Sequence, residues 1–326
     1  MKKFWIVILA ALILLVGCME KKENSKENNS KENETSTSQK IEIQDADGVK
    51  TFDGPQERVV ALEWSLVEEL LIAGVQPVGV ADIENFNKWV TIEAELDDSV
   101  VDVGDRLEPN MEEIGKLKPD VILAIKGRHE AIKSELEKIA PVVMYDNLSD
   151  DAISNQYDHA LQTLRETGKL VGKEEAVETA IQSLETKFKE ANKQLEELNL
   201  ETKDFIFTQA YSVNQAPTFR IFTTNSIVSH VLENIGLTNK VVDDPDSSSG
   251  FIETNVEGLV NYQEAMLIHT VQEDDPLFDN LKNNEAWNGL YFVKNNEMYD
   301  VGGGVWTFGS VQSMETLLDQ VLSSFK

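Results

Sequence analysis

The chain has 326 residues, 41% of them hydrophobic and 27% charged, and its 58 acidic side chains against 29 basic ones give a formal net charge of −29. So acidic a surface excludes nucleic acid as a partner, because phosphate binding needs clustered cations. A single cysteine excludes any internal disulfide, so the fold must rest on core packing.

The N-terminus opens with Lys2 and Lys3, continues through an apolar run over residues 4–16, and reaches Leu15-Val16-Gly17-Cys18. A charged start, an apolar core and a small residue before a break have the form of a secretory signal. The run is shorter than the roughly 20 residues a spanning helix needs. With Cys18 at the break, the segment resembles the lipobox of bacterial lipoproteins. That resemblance implies a signal peptide over 1–17 and lipidation at Cys18. It also implies a body held at the extracytoplasmic face of a bacterial cell membrane by its lipid anchor. Residues 18–40 (CMEKKENSKENNSKENETSTSQK) offer almost nothing to bury and read as a disordered tether, with a reach of about 25 Å.

From Arg58 the pattern alternates. Residues 58–63 (RVVALE), 77–82 (PVGVAD), 99–105, 120–125 (DVILAI) and 141–145 (PVVMY) read as strands, with a helix over 66–73 after the first. Asn110 and Glu113 stand as a capping box before Ile114 and Leu117. The alternation then gives way to helix over 154–170 and to a long charged helix over 173–198, whose Ala176, Ala180, Leu184, Phe188, Ala191 and Leu195 keep helical spacing. Strands return at 204–209, 220–223, 240–243 and 265–269, with helices at 227–235 and 311–325. The expected fold class is α/β, with two Rossmann-like lobes joined by a single long helix. The expected divisions are an N-terminal lobe over 41–171, a connecting helix over 172–199 and a C-terminal lobe over 200–326.

Two segments repeat each other without gaps, EPNMEEIGKLKPDVILAI (108–125) and ETNVEGLVNYQEAMLIHT (253–270), and GVQPVGVAD (74–82) is echoed more weakly by GLTNKVVDD (236–244). Two related lobes about one strut imply a cleft, where small ligands bind.

Three stretches carry a family likeness: RVVALEWSLVEELLIAGVQPVGVAD (58–82), VDVGDRLEPNMEEIGKLKPDVILA (101–124) and KGRHEAIKSELEKIAPVV (126–143). RIFTTNSIVSHVLENIGL (220–237) and the region of Trp306 match more loosely. The sequence resembles the iron–siderophore substrate-binding proteins of ABC importers, and within them the ferric-dicitrate-binding branch. The resemblance implies the helical-backbone periplasmic binding protein fold, small lobe motions, and a monomer working with an ABC permease and its ATPase. It implies a receptor, not an enzyme, whose ligand is ferric citrate or a citrate-based siderophore. The iron arrives coordinated by its chelator, so neither a cofactor nor protein metal ligands are expected.

An anionic chelate calls for fixed cations and flat apolar walls. Arginine meets a carboxylate with two parallel bonds and stays charged. Arg106 and Arg128 follow the third and fourth strands, at the carboxyl ends where open α/β sheets bind ligands. Lys126 and, in the second lobe, Arg220 are the further basic candidates. Trp64, Tyr211 and Trp306 are the candidate walls. By resemblance, Glu68 and Glu233, one per lobe, dock onto permease arginines. His129, His159, His230 and His269 are scattered without metal-ligand spacing. A haem or cobalamin receptor of the same fold is the alternative, with Tyr211 or His269 as an axial ligand. Other classes are a surface hydrolase or redox lipoprotein, for which no nucleophile elbow is present, and an adhesin with no small ligand.

Overall fold

A computed structural model describes residues 40–242, 244 and 247–326. The expected signal, the Cys18 anchor and all of the tether but Lys40 lie outside those residues. Two strands precede the expected start of the sheet. β1 (Ile41–Asp45) and β2 (Gly48–Phe52) form an antiparallel hairpin, turned at Ala46-Asp47 with Gly48 at φ 114°.

The first lobe is built on β3 (Val59–Ala61), β4 (Gly79–Val80), β5 (Val101–Asp102), β6 (Val121–Ile125) and β7 (Val142–Tyr145). They lie in the order β5-β4-β3-β6-β7, every pair parallel. The strands read as near-continuous apolar runs because helices cover both faces. The second lobe holds β8 (Asp204–Val213), β9 (Ala216–Phe222), β10 (Thr238–Asn239), β11 (Phe251–Thr254), β12 (Met266–Thr270) and β13 (Met298–Asp300). Here β8 pairs in parallel with β10 and β12, and β12 with β13, as β3 pairs with β4 and β6, and β6 with β7. The antiparallel strands β9 and β11 have no counterpart in the first sheet. Both gapless repeats end in the strand beside their lobe's first parallel strand, β6 and β12.

One expected strand moves. Pairing falls on Thr238–Asn239 rather than on 240–243, because Asn239 turns the chain: its Nδ2 donates to the Phe222 carbonyl at 2.9 Å and its Oδ1 accepts from the Val241 N–H at 2.9 Å. Asn110 caps the helix Met111–Leu117 as expected, accepting from the Glu112 and Glu113 N–H groups, while Glu113 pairs with Lys116.

The long helix Glu174–Glu197 buries Val177, Ile181, Leu184, Phe188, Ala191 and Leu195. That stripe belongs to the largest apolar cluster, which also takes Val59, Ala61 and Leu123 from the first sheet and Phe205, Phe207 and Ile268 from the second. The lobes therefore share one core, and each sheet has a smaller cluster on its other face. Polar ties cross the same boundary. The Thr91 N–H donates to the Gly304 carbonyl at 2.9 Å, the Ala94 N–H to Gln312 Oε1 at 3.2 Å, and Lys88 pairs with Asp274 at 3.1 Å.

Candidate ligand-binding cleft

Between the lobes lies a cavity of about 750 Å³. Its first-lobe wall is made from the carboxyl ends of parallel strands. Glu63 and Trp64 follow β3, Asp82 follows β4, Arg106 follows β5, and Arg128 follows β6 in the short helix Lys126–His129. The second lobe contributes Gln209 from β8, Arg220 from β9, Phe251 from β11, and Trp306 and Phe308 from the loop before the last helix.

Of the sequence candidates, Arg106, Arg128, Arg220, Trp64 and Trp306 all line this cavity. Trp64 is almost wholly buried at 2% exposure, its indole N–H donating to the Ala81 carbonyl. The Arg106 guanidinium carbon sits 3.4 Å above the Trp64 ring centroid and 5.8 Å from that of Trp306, a desolvated cation–π arrangement. Trp64 and Trp306 meet edge to face at 5.0 Å, and the aromatic run continues through Phe308 to Phe251. Arg220 lies 4.9 Å from the Phe251 centroid and 5.0 Å from that of Tyr211.

Lys126 and Tyr211 are not cavity residues. The Lys126 ammonium is engaged 2.9 Å from Asp146, and the Tyr211 hydroxyl donates to Glu253 at 3.0 Å, supporting Arg220 from the side. Burial and that hydrogen bond raise the Tyr211 hydroxyl above its ordinary pKa.

The docking role expected for Glu68 is overturned. Its exposure is 0%, and it accepts from the Ser310 N–H at 2.9 Å, the Ser313 N–H at 2.8 Å and the Ser313 hydroxyl at 2.7 Å. It caps the C-terminal helix Val311–Ser324, whose own N-cap Ser310 makes no side-chain cap. A carboxylate at that helix end is favoured by the unpaired N–H groups and the dipole, although burial raises its pKa. Glu69 is buried too, with Thr163 and Thr167 hydroxyls donating to it at 2.7 and 2.6 Å, and desolvation lifts it to about 8. Glu233 is exposed.

The carboxylates of the cleft were not anticipated. Glu63, 6% exposed, places Oε1 2.8 Å from Arg106 Nη1 and Oε2 2.7 Å from Arg128 Nε. Asp82 stands 3.9 Å from Arg106, and Glu253, beside the cavity rather than lining it, accepts from Arg220 at 2.9 Å. The Arg220 pair follows from register: Gln209, Arg220 and Glu253 stand directly opposite one another on β8, β9 and β11. Arg220 holds Glu253 below the usual carboxylate range. Gln209 Oε1 and Trp306 Nε1 are buried without a hydrogen-bond partner among the described residues. His129 is fully buried: its Nδ1 accepts from the Ile125 N–H at 3.1 Å, and its Nε2 lies 2.9 Å from the Arg106 carbonyl. Burial lowers its pKa. Among the described residues no His, Cys, Asp and Glu group could hold a metal ion.

The pattern of the family described as periplasmic binding protein matches residues 59–303. The chain belongs to this family. Its members are binding receptors rather than enzymes, and they work outside the cytoplasm with ABC transporters. The Fe(3+)-citrate-binding protein YfmC of Bacillus subtilis is 30% identical over 320 residues, covering 97% of this chain and 94% of its own. The Fe(3+) dicitrate-binding periplasmic protein FecB of Escherichia coli is 23% identical, covering 81% and 83%. Among solved structures, the siderophore-binding protein FhuD of Vibrio cholerae bound to Fe3+-Desferal superposes with a TM-score of 0.73 at 28% identity, covering 82% of this chain and 97% of that one. Among the described residues no helix is long and apolar enough to cross a membrane.

Proposed function

We propose that this periplasmic binding protein captures a ferric complex of citrate, or of a citrate-based siderophore, and delivers it to an ABC permease and its ATPase. The observation that carries the reading is the convergence of Arg106, Arg128 and Arg220 on one aromatic-floored cavity. Guanidinium forks suit carboxylate oxygens left free by the iron, and the indole and phenyl faces take the chelate backbone. The similarity to YfmC and FecB supports a citrate-type ligand. Neither Tyr211 nor His269 lines the cavity, so the haem reading gains no axial ligand from either.

The anchor is Cys18, which tethers the receptor to the outer face of the membrane. Docking to the permease requires exposed carboxylates, which Glu68 cannot supply. Glu112 and Glu257 hold matching places in the gapless repeat, both exposed, and offer one per lobe. Titration with ferric citrate, ferric citrate-based siderophores, haemin and cobalamin, followed by tryptophan fluorescence, tests the ligand class. Saturable quenching by ferric carboxylates alone is expected, and a haemin titration producing a Soret band would overturn it.

A further inference from the structure

Glu63 looks out of place. A carboxylate set in a site for an anion should weaken that site by simple repulsion. Its geometry argues otherwise. Glu63 lies two residues past the end of β3, and its Oε1 accepts from the Trp64 N–H at 3.1 Å as the N-cap of the helix Trp64–Ile72. The carboxylate is thus fixed by the backbone and by the helix end. Each of its oxygens then faces one arginine: Oε1 accepts a hydrogen bond from Arg106, and Oε2 forms a close ion pair with Arg128 without hydrogen-bond geometry. Two guanidiniums brought this close repel each other unless an anion lies between them.

We propose that Glu63 is a positioning residue of the ligand site, holding the Arg106 and Arg128 guanidiniums side by side with their remaining N–H groups free for an incoming anion. Arg106 Nη2 and both Nη groups of Arg128 make no hydrogen bond among the described residues. The Arg106 guanidinium carbon also rests 3.4 Å over the Trp64 ring centroid. His129 ties the Arg106 carbonyl to the turn that carries Arg128. Glu63 acts through the arginines, and what it contributes is a pair of forks whose side-chain freedom is already restricted when the ligand arrives.

The proposal rests on the reading that the cleft takes an anionic chelate, and it predicts the opposite sign from simple repulsion. Glu63→Gln keeps the side-chain volume and an oxygen for the Trp64 N–H, but removes the charge and turns an amide toward one arginine. Ferric citrate is the probe, with tryptophan quenching for affinity and stopped flow for release. Glu63→Gln should bind about tenfold or more weakly, chiefly through faster release. Arg128→Ala should cost less affinity in the Glu63→Gln background than in the wild type, the mark of a coupled pair. Equal or tighter binding by Glu63→Gln, or strictly additive losses, overturns the proposal. A crystal structure of Glu63→Gln tests the positioning role without any ligand: guanidiniums drawn apart support it, and unmoved ones overturn it. If the wild type binds no ferric carboxylate, the ligand reading fails, and that crystal structure still decides the role of Glu63. Should Glu63→Gln not fold, Glu63→Asp, which withdraws the charge by one methylene, takes its place with the same expected direction.

Discussion

Arg106 and Arg128 share a single buried carboxylate, so truncating either has two effects. Under the proposed function it removes a charge-assisted bond to the ligand, about 1.5–3 kcal/mol, or roughly 10- to 150-fold in affinity. It also leaves Glu63 with one cation instead of two, and an undercompensated buried charge is destabilising. Arg106→Ala and Arg128→Ala should each show weaker ferric citrate binding by calorimetry together with a lowered melting temperature. Arg220→Ala should show the first effect with little of the second, because its partner Glu253 is exposed. Glu69 supplies a pH dependence. Its carboxyl, ordinarily near 4.5, is raised to about 8 by burial. The folded state therefore holds this proton more tightly than the unfolded chain does. The stability it contributes is complete below about pH 4.5 and is lost as pH climbs through 8. The melting temperature of the wild type minus that of Glu69→Gln should fall across that interval, and a flat difference would count against the buried acid.

At the scale of elements, the helix Trp64–Ile72 acts as a clamp. Glu68 seizes the amino end of the C-terminal helix, while Glu69 takes two threonines of the helix Gln156–Leu170. Glu68→Ala should cost about 2–3 kcal/mol, as a lost cap with charge-assisted bonds, measured by urea unfolding. Gly309→Ala should also destabilise, because a Cβ there overlaps Ser313 and the Glu68 carboxylate. None of this was legible in the sequence. Acids are almost never fully buried unless partnered, and the partner here lies some 240 positions away. The parallel strands were legible, because burial on both faces leaves uninterrupted apolar runs such as RVVALE and DVILAI. The β1–β2 hairpin was missed, although Asp47-Gly48 between alternating residues is a recognised hairpin signal. Arg106 and Arg128 could be found because they follow buried strands. Glu63 obeys the same rule, yet its role depends on two arginines that become its neighbours only after folding.

At the scale of the whole molecule, the shared core limits what the lobes can do. Separating them would expose apolar surface from both sheets and the strut, so ligand capture should involve slight adjustment instead of wide hinge closure. Small-angle scattering with and without ferric citrate should show a change in radius of gyration under about 1 Å, and a larger contraction would mean that the core parts. The three cleft arginines also differ in where they are rooted. Two stand at the ends of strands in the parallel sheet of the first lobe, whereas Arg220 and its partner Glu253 stand on the antiparallel ribbon found in the second sheet alone. Changes confined to that ribbon would therefore alter the Arg220 side of the cleft and leave the parallel sheet that carries Arg106 and Arg128 as it is.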